Sequence, residues 1–163
     1  TGAISTAIKR GFAKQESVDA AMKAMTTSAS YASKVMQEVG ANGCTDITGF
    51  GLLGHAFEMA KGSNVTLTID SDSVPLLPDV INLIEQKMLT RGDRNNRLYV
   101  GETVKINESV SGEMQSALFD PQTAGGLLIS LEESKAKELI SKVEGAKIVG
   151  RVEQFKDYLI EVS

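Results

Sequence analysis

Thr45-Asp46-Ile47-Thr48-Gly49-Phe50-Gly51-Leu52-Leu53-Gly54-His55 places one acid, two hydroxyls and three glycines in front of an apolar run. Thr48 suits an N-cap, and the pattern predicts a helix from about Gly49 to Ala60. The first turn of such a helix leaves backbone N–H groups unpaired. A helix start of this kind attracts anions, phosphate above all. A carboxylate beside a phosphate needs a cation between them. The stretch is therefore expected to form a magnesium–nucleotide corner, with Asp46 on the metal. Thr45, Thr48, Gly49 and Gly51 would lie against the ligand, the glycines allowing close approach. The competing reading is a tight turn in which Asp46 orders its own backbone and the glycines need no ligand.

Gly49, Gly51 and Gly54 also fit G-x-G-x-x-G, the dinucleotide fingerprint. That fingerprint follows a buried apolar strand. Here Gly40 to Asp46 is polar and broken by glycine, which argues against NAD.

A second stretch, Asp120-Pro121-Gln122-Thr123-Ala124-Gly125-Gly126-Leu127-Leu128, is a Pro/Gly loop leading into a strand. Asp120, Thr123 and Gly125 are candidate ligand contacts, against an equally good reading as close loop packing. Together the two stretches resemble T-D-[IV]-T-G-F-G-L-L-G-H and D-P-Q-T-S-G-G-L-L of the selenide, water dikinase (selenophosphate synthetase) family. Ala124 stands where that family has serine. Arg91-Gly92-Asp93-Arg94-Asn95-Asn96 is a weaker match to its G-G-T-x-x-N. The opening Thr1-Gly2 and Ile4 to Lys9 resemble a further G-T-G-I-…-A-[IL]-K segment, with Ala3 in place of isoleucine.

What the resemblance implies is specific. The chain would be the carboxy-terminal domain of an enzyme converting ATP, selenide and water to selenophosphate, AMP and phosphate. Asp46 matches a magnesium-binding aspartate of that family. The reactive Cys or selenocysteine, a nearby Lys and most of the metal-binding aspartates would lie in a missing amino-terminal domain. The domain alone would then be inactive and carry no catalytic residue. Related enzymes include aminoimidazole ribonucleotide synthetase, thiamine-monophosphate kinase and a hydrogenase maturation factor. The Asp46 form of the motif points to the selenium enzyme. The alternatives are a non-catalytic interaction module, or another ATP-using member of this superfamily.

Composition agrees with a soluble globular domain. The 163 residues are 42% hydrophobic and 23% charged, with no Trp, so the core must be aliphatic. A net charge of −4 argues against nucleic acid as a partner. One cysteine, Cys44, allows no internal disulfide, and no apolar run is long enough to span a membrane. A cytoplasmic location is expected. The chain lacks an initial Met, as a piece of a longer protein would. Exposed apolar surface left by an absent partner domain would favour a homodimer.

The single lone histidine, His55, lacks a paired acid or nucleophile and is expected to be structural. Cys44 is expected to be a small buried residue. Arg91, Arg94 and Arg97 could grip phosphate or sit solvated on a polar loop.

Along the chain, residues 1–15 are expected as an arm or linker, with a short helix over Ile4 to Arg10. One long helix is expected from Val18 to Val39. Val65 to Asp70 alternates as a strand, and Val80, Leu83, Ile84 and Met88 mark a helix face. Leu89 to Arg97 is expected as a loop, followed by short strands at Leu98–Val100 and Val104–Ile106. A helix through Leu118, a strand at Leu127–Leu131 and a helix from Glu132 to Val143 come next. Lys147–Val152 and Tyr158–Val162 are expected to pair as a hairpin. The fold class is α/β (α+β mixed), a mixed sheet of about four main strands flanked by helices, as in the carboxy-terminal domain of aminoimidazole ribonucleotide synthetase. The whole chain, 1–163, would form that one domain.

Overall fold

In a computed structural model describing residues 1–163, eight helices and six strands form a mixed α/β domain. The helices are α1 (Gly2–Arg10), α2 (Gln15–Thr26), α3 (Ser30–Val39), α4 (Gly51–Ser63), α5 (Val80–Glu85), α6 (Arg91–Val100), α7 (Gly112–Phe119) and α8 (Glu133–Lys142). The strands are β1 (Gly43–Asp46), β2 (Val65–Ile69), β3 (Val104–Ile106), β4 (Leu127–Ser130), β5 (Gly150–Gln154) and β6 (Ile160–Val162).

The main sheet runs β3-β6-β2-β5, with β5 antiparallel to β2 and β6 parallel to both β2 and β3. The mixed four-stranded sheet expected from sequence is present. The terminal hairpin is not, because β2 lies between β5 and β6. Thr66 shows how the connection is held. Its fully buried hydroxyl donates to the Tyr158 carbonyl at 2.6 Å and accepts from the Lys156 N–H at 3.0 Å. The connecting segment is thereby pinned across β2, and Ile160 and Val162 enter the core as an interior strand.

α4 lays Leu53, Ala56, Phe57 and Ala60 on Ile69, Ile160 and Val162, with Val100, Leu118 and Phe119 closing the same core. The opposite sheet face carries Thr68, Lys105, Glu161 and Arg151, in register with one another. A second core joins α1, α2 and α5 through Ile4, Ala7, Ala21, Leu83 and Ile84. Residues 2–10, expected as part of an arm, are therefore a packed helix with Ile4 fully buried.

Three further expectations are corrected. The long helix breaks into α2 and α3 in its hydroxyl-rich middle. There the Thr26 and Thr27 hydroxyls donate back to the Met22 and Lys23 carbonyls, and Ser28 Oγ accepts from the Ser30 N–H. Such side-chain bonds compete with the helix ladder. The segment Arg91–Val100 is helical, not a loop with a strand at Leu98–Val100. Thr90 caps it by accepting from the Asp93 N–H, and Asp93 pairs with Arg97 one turn on. Finally, Gly43–Asp46 is a strand, pairing antiparallel with β4 in a separate two-stranded sheet.

Candidate functional site

The β1–β4 ribbon brings the two glycine-rich stretches together. Asp46 stands opposite Leu127 at its end. Beyond it the chains remain stitched by backbone bonds. Ile47 N–H donates to the Gly126 carbonyl at 2.9 Å, and the Gly125 N–H donates to the Ile47 carbonyl at 2.8 Å. The Gln122 N–H donates to the Thr48 carbonyl at 2.9 Å. The turn 46–50 and the loop 120–126 are thus one rigid unit, with α4 leaving from it.

Asp46 is exposed, and its carboxylate takes part in no ion pair or side-chain hydrogen bond. Thr45 is half-buried, with its hydroxyl turned to the Asp46 carbonyl at 3.3 Å. Thr48 does not cap α4. Its N–H donates to His55 Nε2 at 3.0 Å, and its hydroxyl lies 3.1 Å from the same nitrogen. A nitrogen that accepts from an N–H carries no proton, so the ring proton sits on Nδ1. His55 is a brace for the turn. α4 begins after Phe50 without any side-chain cap, so the expected start at Gly49 moves to Gly51.

The three candidate glycines differ physically. Gly51 has φ +68°, and a Cβ there would lie 2.8 Å from both the carbonyl carbon and oxygen of Phe119. Gly125 would place a Cβ 2.8 Å from the Ile47 carbonyl oxygen. Both are required by backbone packing. Gly49 is exposed, its φ is not positive, and a Cβ added there would meet nothing within 4 Å. Nothing within the domain demands glycine there, so the space beside it is open.

Asp120 lies elsewhere in the unit. It is buried, and its Oδ2 accepts from the Ala3 N–H at 3.1 Å and from the Thr1 nitrogen at 3.3 Å. Burial pushes its carboxyl above the usual range, opposed by the Ala3 and Gly2 amides. It fixes the start of α1. Thr123 is exposed, with its N–H donated to Thr1 Oγ1 at 2.9 Å. Asp46, Gly49 and Thr123 are therefore on the surface of the unit, whereas Asp120 and Gly51 are inside it.

Two residues not singled out as site candidates complete the arrangement. Asn96, on α6 and only 4% exposed, donates from Nδ2 to the Gly49 carbonyl at 3.0 Å and to the Phe119 carbonyl at 2.9 Å. Tyr99, one turn on, stacks on Phe50 with centroids 5.0 Å apart and planes 11° from parallel. Asn96 closes the weaker motif match Arg91–Asn96, and the Thr90 cap, which accepts from the Asp93 N–H, puts it on a helix face.

Of the arginines, Arg97 is occupied. It donates to Asp93 at 2.8 Å and to Ser116 at 3.1 Å, and lies over the Phe119 ring. Arg91 and Arg94 are exposed and form no ion pair. Cys44 is half-buried, and burial together with the nearby Asp46 pushes its thiol up, the reverse of what a reactive thiolate needs.

No three His, Cys, Asp or Glu side chains gather as a metal cage. Divalent cations take six or more oxygen ligands, some from water and phosphate. One exposed, unpaired carboxylate therefore fits a partial ligand set, shared with a polyphosphate and with groups outside this chain. No helix is long and apolar enough to cross a membrane.

Residues 2–161 match the family described as AIR synthase related protein, C-terminal domain. A selenide, water dikinase of Caldanaerobacter subterraneus subsp. tengcongensis is 44% identical over 99% of this chain and 48% of its own length. That of Treponema denticola is 37% identical over 100% of the chain and 48% of its own. That of Clostridioides difficile is 39% identical over 93% and 45%. The chain spans about half the length of the curated relatives it matches.

Proposed function

Because the chain belongs to the AIR synthase-related C-terminal domain family, we propose that it serves as that domain in a selenide, water dikinase. The whole protein would convert ATP, selenide and water to selenophosphate, AMP and phosphate. The observation that carries this is the Asp46 carboxylate, exposed and unpaired at the end of β1 beside the open Gly49 turn.

Phosphoryl transfer needs positioning and charge neutralisation more than covalent help. Asp46 would hold Mg²⁺, and the ion would supply that neutralisation when bound. Gly49 leaves room for the polyphosphate, with Thr45, Thr48 and Thr123 around it. Asp120, Gly51 and Gly125 act by holding the two loops in register. The selenium-handling group and the remaining ligands come from an amino-terminal domain. A site between two domains is a common arrangement for small ligands. One carboxylate binds Mg²⁺ weakly, so the chain alone is inactive. The reaction belongs in the reducing cytoplasm, which suits a single free thiol.

The test is selenide-dependent release of AMP and phosphate by the intact protein, wild type against Asp46→Ala. Loss of turnover with an unchanged thermal midpoint is expected. Unimpaired turnover would remove Asp46 from the site.

A further inference from the structure

We propose that Asn96 is a positioning residue for the Asp46 carboxylate, an inference that rests on the reading of the site just given. Both amide hydrogens of Asn96 are committed, one to the Gly49 carbonyl and one to the Phe119 carbonyl. Those carbonyls lie at the mouths of the two site loops, one leading out of the Asp46 turn and the other into Asp120. The side chain is buried, so these bonds have no water to compete with them.

The turn needs such a clamp. Gly49 has no side chain to pack, and Gly51 sits in the left-handed region. Glycine on both sides of Phe50 gives the backbone many alternative conformations. α6 grips it at consecutive residues. Asn96 holds Gly49 by hydrogen bonds, and Tyr99, three residues on and hence on the same side, stacks on Phe50. The Tyr99 hydroxyl is in turn tied to Glu58 on α4 at 2.5 Å. α6 itself is fixed by the Thr90 cap and the Arg97–Asp93 pair. Its inner face thus sets where the Asp46 turn stands relative to the loop 120–126, without touching any ligand.

The test measures Mn²⁺–ATP binding by electron paramagnetic resonance on the intact protein, for wild type, Asp46→Ala, Asn96→Ala and the double variant. Mn²⁺ is the probe for the divalent site. Thr66→Val, a buried polar change in the distant sheet, controls for general loss of stability. Asn96→Ala is expected to weaken binding about tenfold, in line with small misplacements of a positioned group. The double variant is expected to bind no more weakly than Asp46→Ala alone, since a residue acting through another adds nothing once that one is gone. Thr66→Val should lower the melting temperature and leave binding unchanged. If Asn96→Ala does not fold, Asn96→Ser, which keeps one donor, is measured instead.

A folded Asn96 variant that binds like wild type, while Asp46→Ala is weakened, overturns the inference alone. So does a double variant whose losses multiply. Unchanged binding in Asp46→Ala overturns the site reading itself.

Discussion

Alanine at position 51 and alanine at position 49 should have opposite consequences, although the two glycines are neighbours in one motif. At 51 the added Cβ meets two penalties. The backbone φ of +68° costs an L-residue roughly 1–2 kcal/mol. The methyl would also lie 2.8 Å from the carbonyl carbon and oxygen of Phe119 and 3.1 Å from the Asp120 carbonyl oxygen. These are backbone atoms, held by Asn96 and by the loop bonds, and cannot rotate away. Overpacking of this kind costs about 1–3 kcal/mol. The sum is about 3 kcal/mol, and with an m-value of about 1.5 kcal/mol/M the urea midpoint should fall by about 2 M. Gly49→Ala meets nothing within 4 Å, so its stability should stay within about 0.5 kcal/mol of wild type. It should nevertheless weaken Mg²⁺–ATP binding in the intact protein, because it fills the space the polyphosphate needs. Urea unfolding by circular dichroism, with titration calorimetry on the same samples, separates the two. An unshifted midpoint for Gly51→Ala would refute the packing argument. Unchanged affinity for Gly49→Ala would refute the ligand argument.

Thr66→Val should destabilise by about 1–3 kcal/mol, since the half-buried Tyr158 carbonyl loses its donor while the Lys156 N–H, on an exposed residue, can turn to water; a midpoint near wild type would show that this hydroxyl does not hold the crossover. Arg97→Ala removes a part-exposed guanidinium from Asp93 and Ser116 and should cost about 1–2 kcal/mol, read in the same unfolding assay. Asp120 gives a pH dependence of defined sign. Its carboxyl is raised in the folded protein, chiefly by burial, so the folded state holds its proton longer than the unfolded state does. Its contribution favours folding at low pH and is lost as pH rises from about 4 through the raised value. Relative to Asp120→Asn, the wild-type melting temperature should therefore fall over that range; a wild-type melting temperature that stays level with or rises against that of Asp120→Asn would show that the partners, not burial, dominate.

Much of this was legible in the residues. Val65–Ile69 alternates because one sheet face packs on α4 and the other carries Thr66 and Thr68. Gly40 ends α3 with φ +79°, as helix ends predict, whereas α8 stops at Lys142 on an extended Val143, ahead of the expected Gly145. Other features were hidden for physical reasons. The strand Gly43–Asp46 has no apolar pattern, because β4 and the stitched loops hold it through backbone groups that every residue carries. The crossover of β6 is held by its ladders to β2 and β3 and by the Thr66 hydroxyl, which looks like any strand threonine. α6 is so polar that its pattern suggests a loop, yet its cap, its ion pair and the buried Asn96 all stabilise the helix. At the site, local sequence could not separate Asp46 from Asp120. Both are acids beside glycine turns, and only the three-dimensional arrangement turns one to solvent and the other onto α1.

The chemistry proposed for the domain depends on a cation at Asp46. Crystals of the intact protein with Mn²⁺ and a non-hydrolysable ATP analogue, measured for anomalous scattering, test this directly. A peak bonded to an Asp46 carboxylate oxygen, at about the 2.1 Å of a hard divalent ion, and bridging to phosphate is the expected result. Cations coordinated wholly by residues outside this chain, with the Asp46 carboxylate left in solvent, would contradict it.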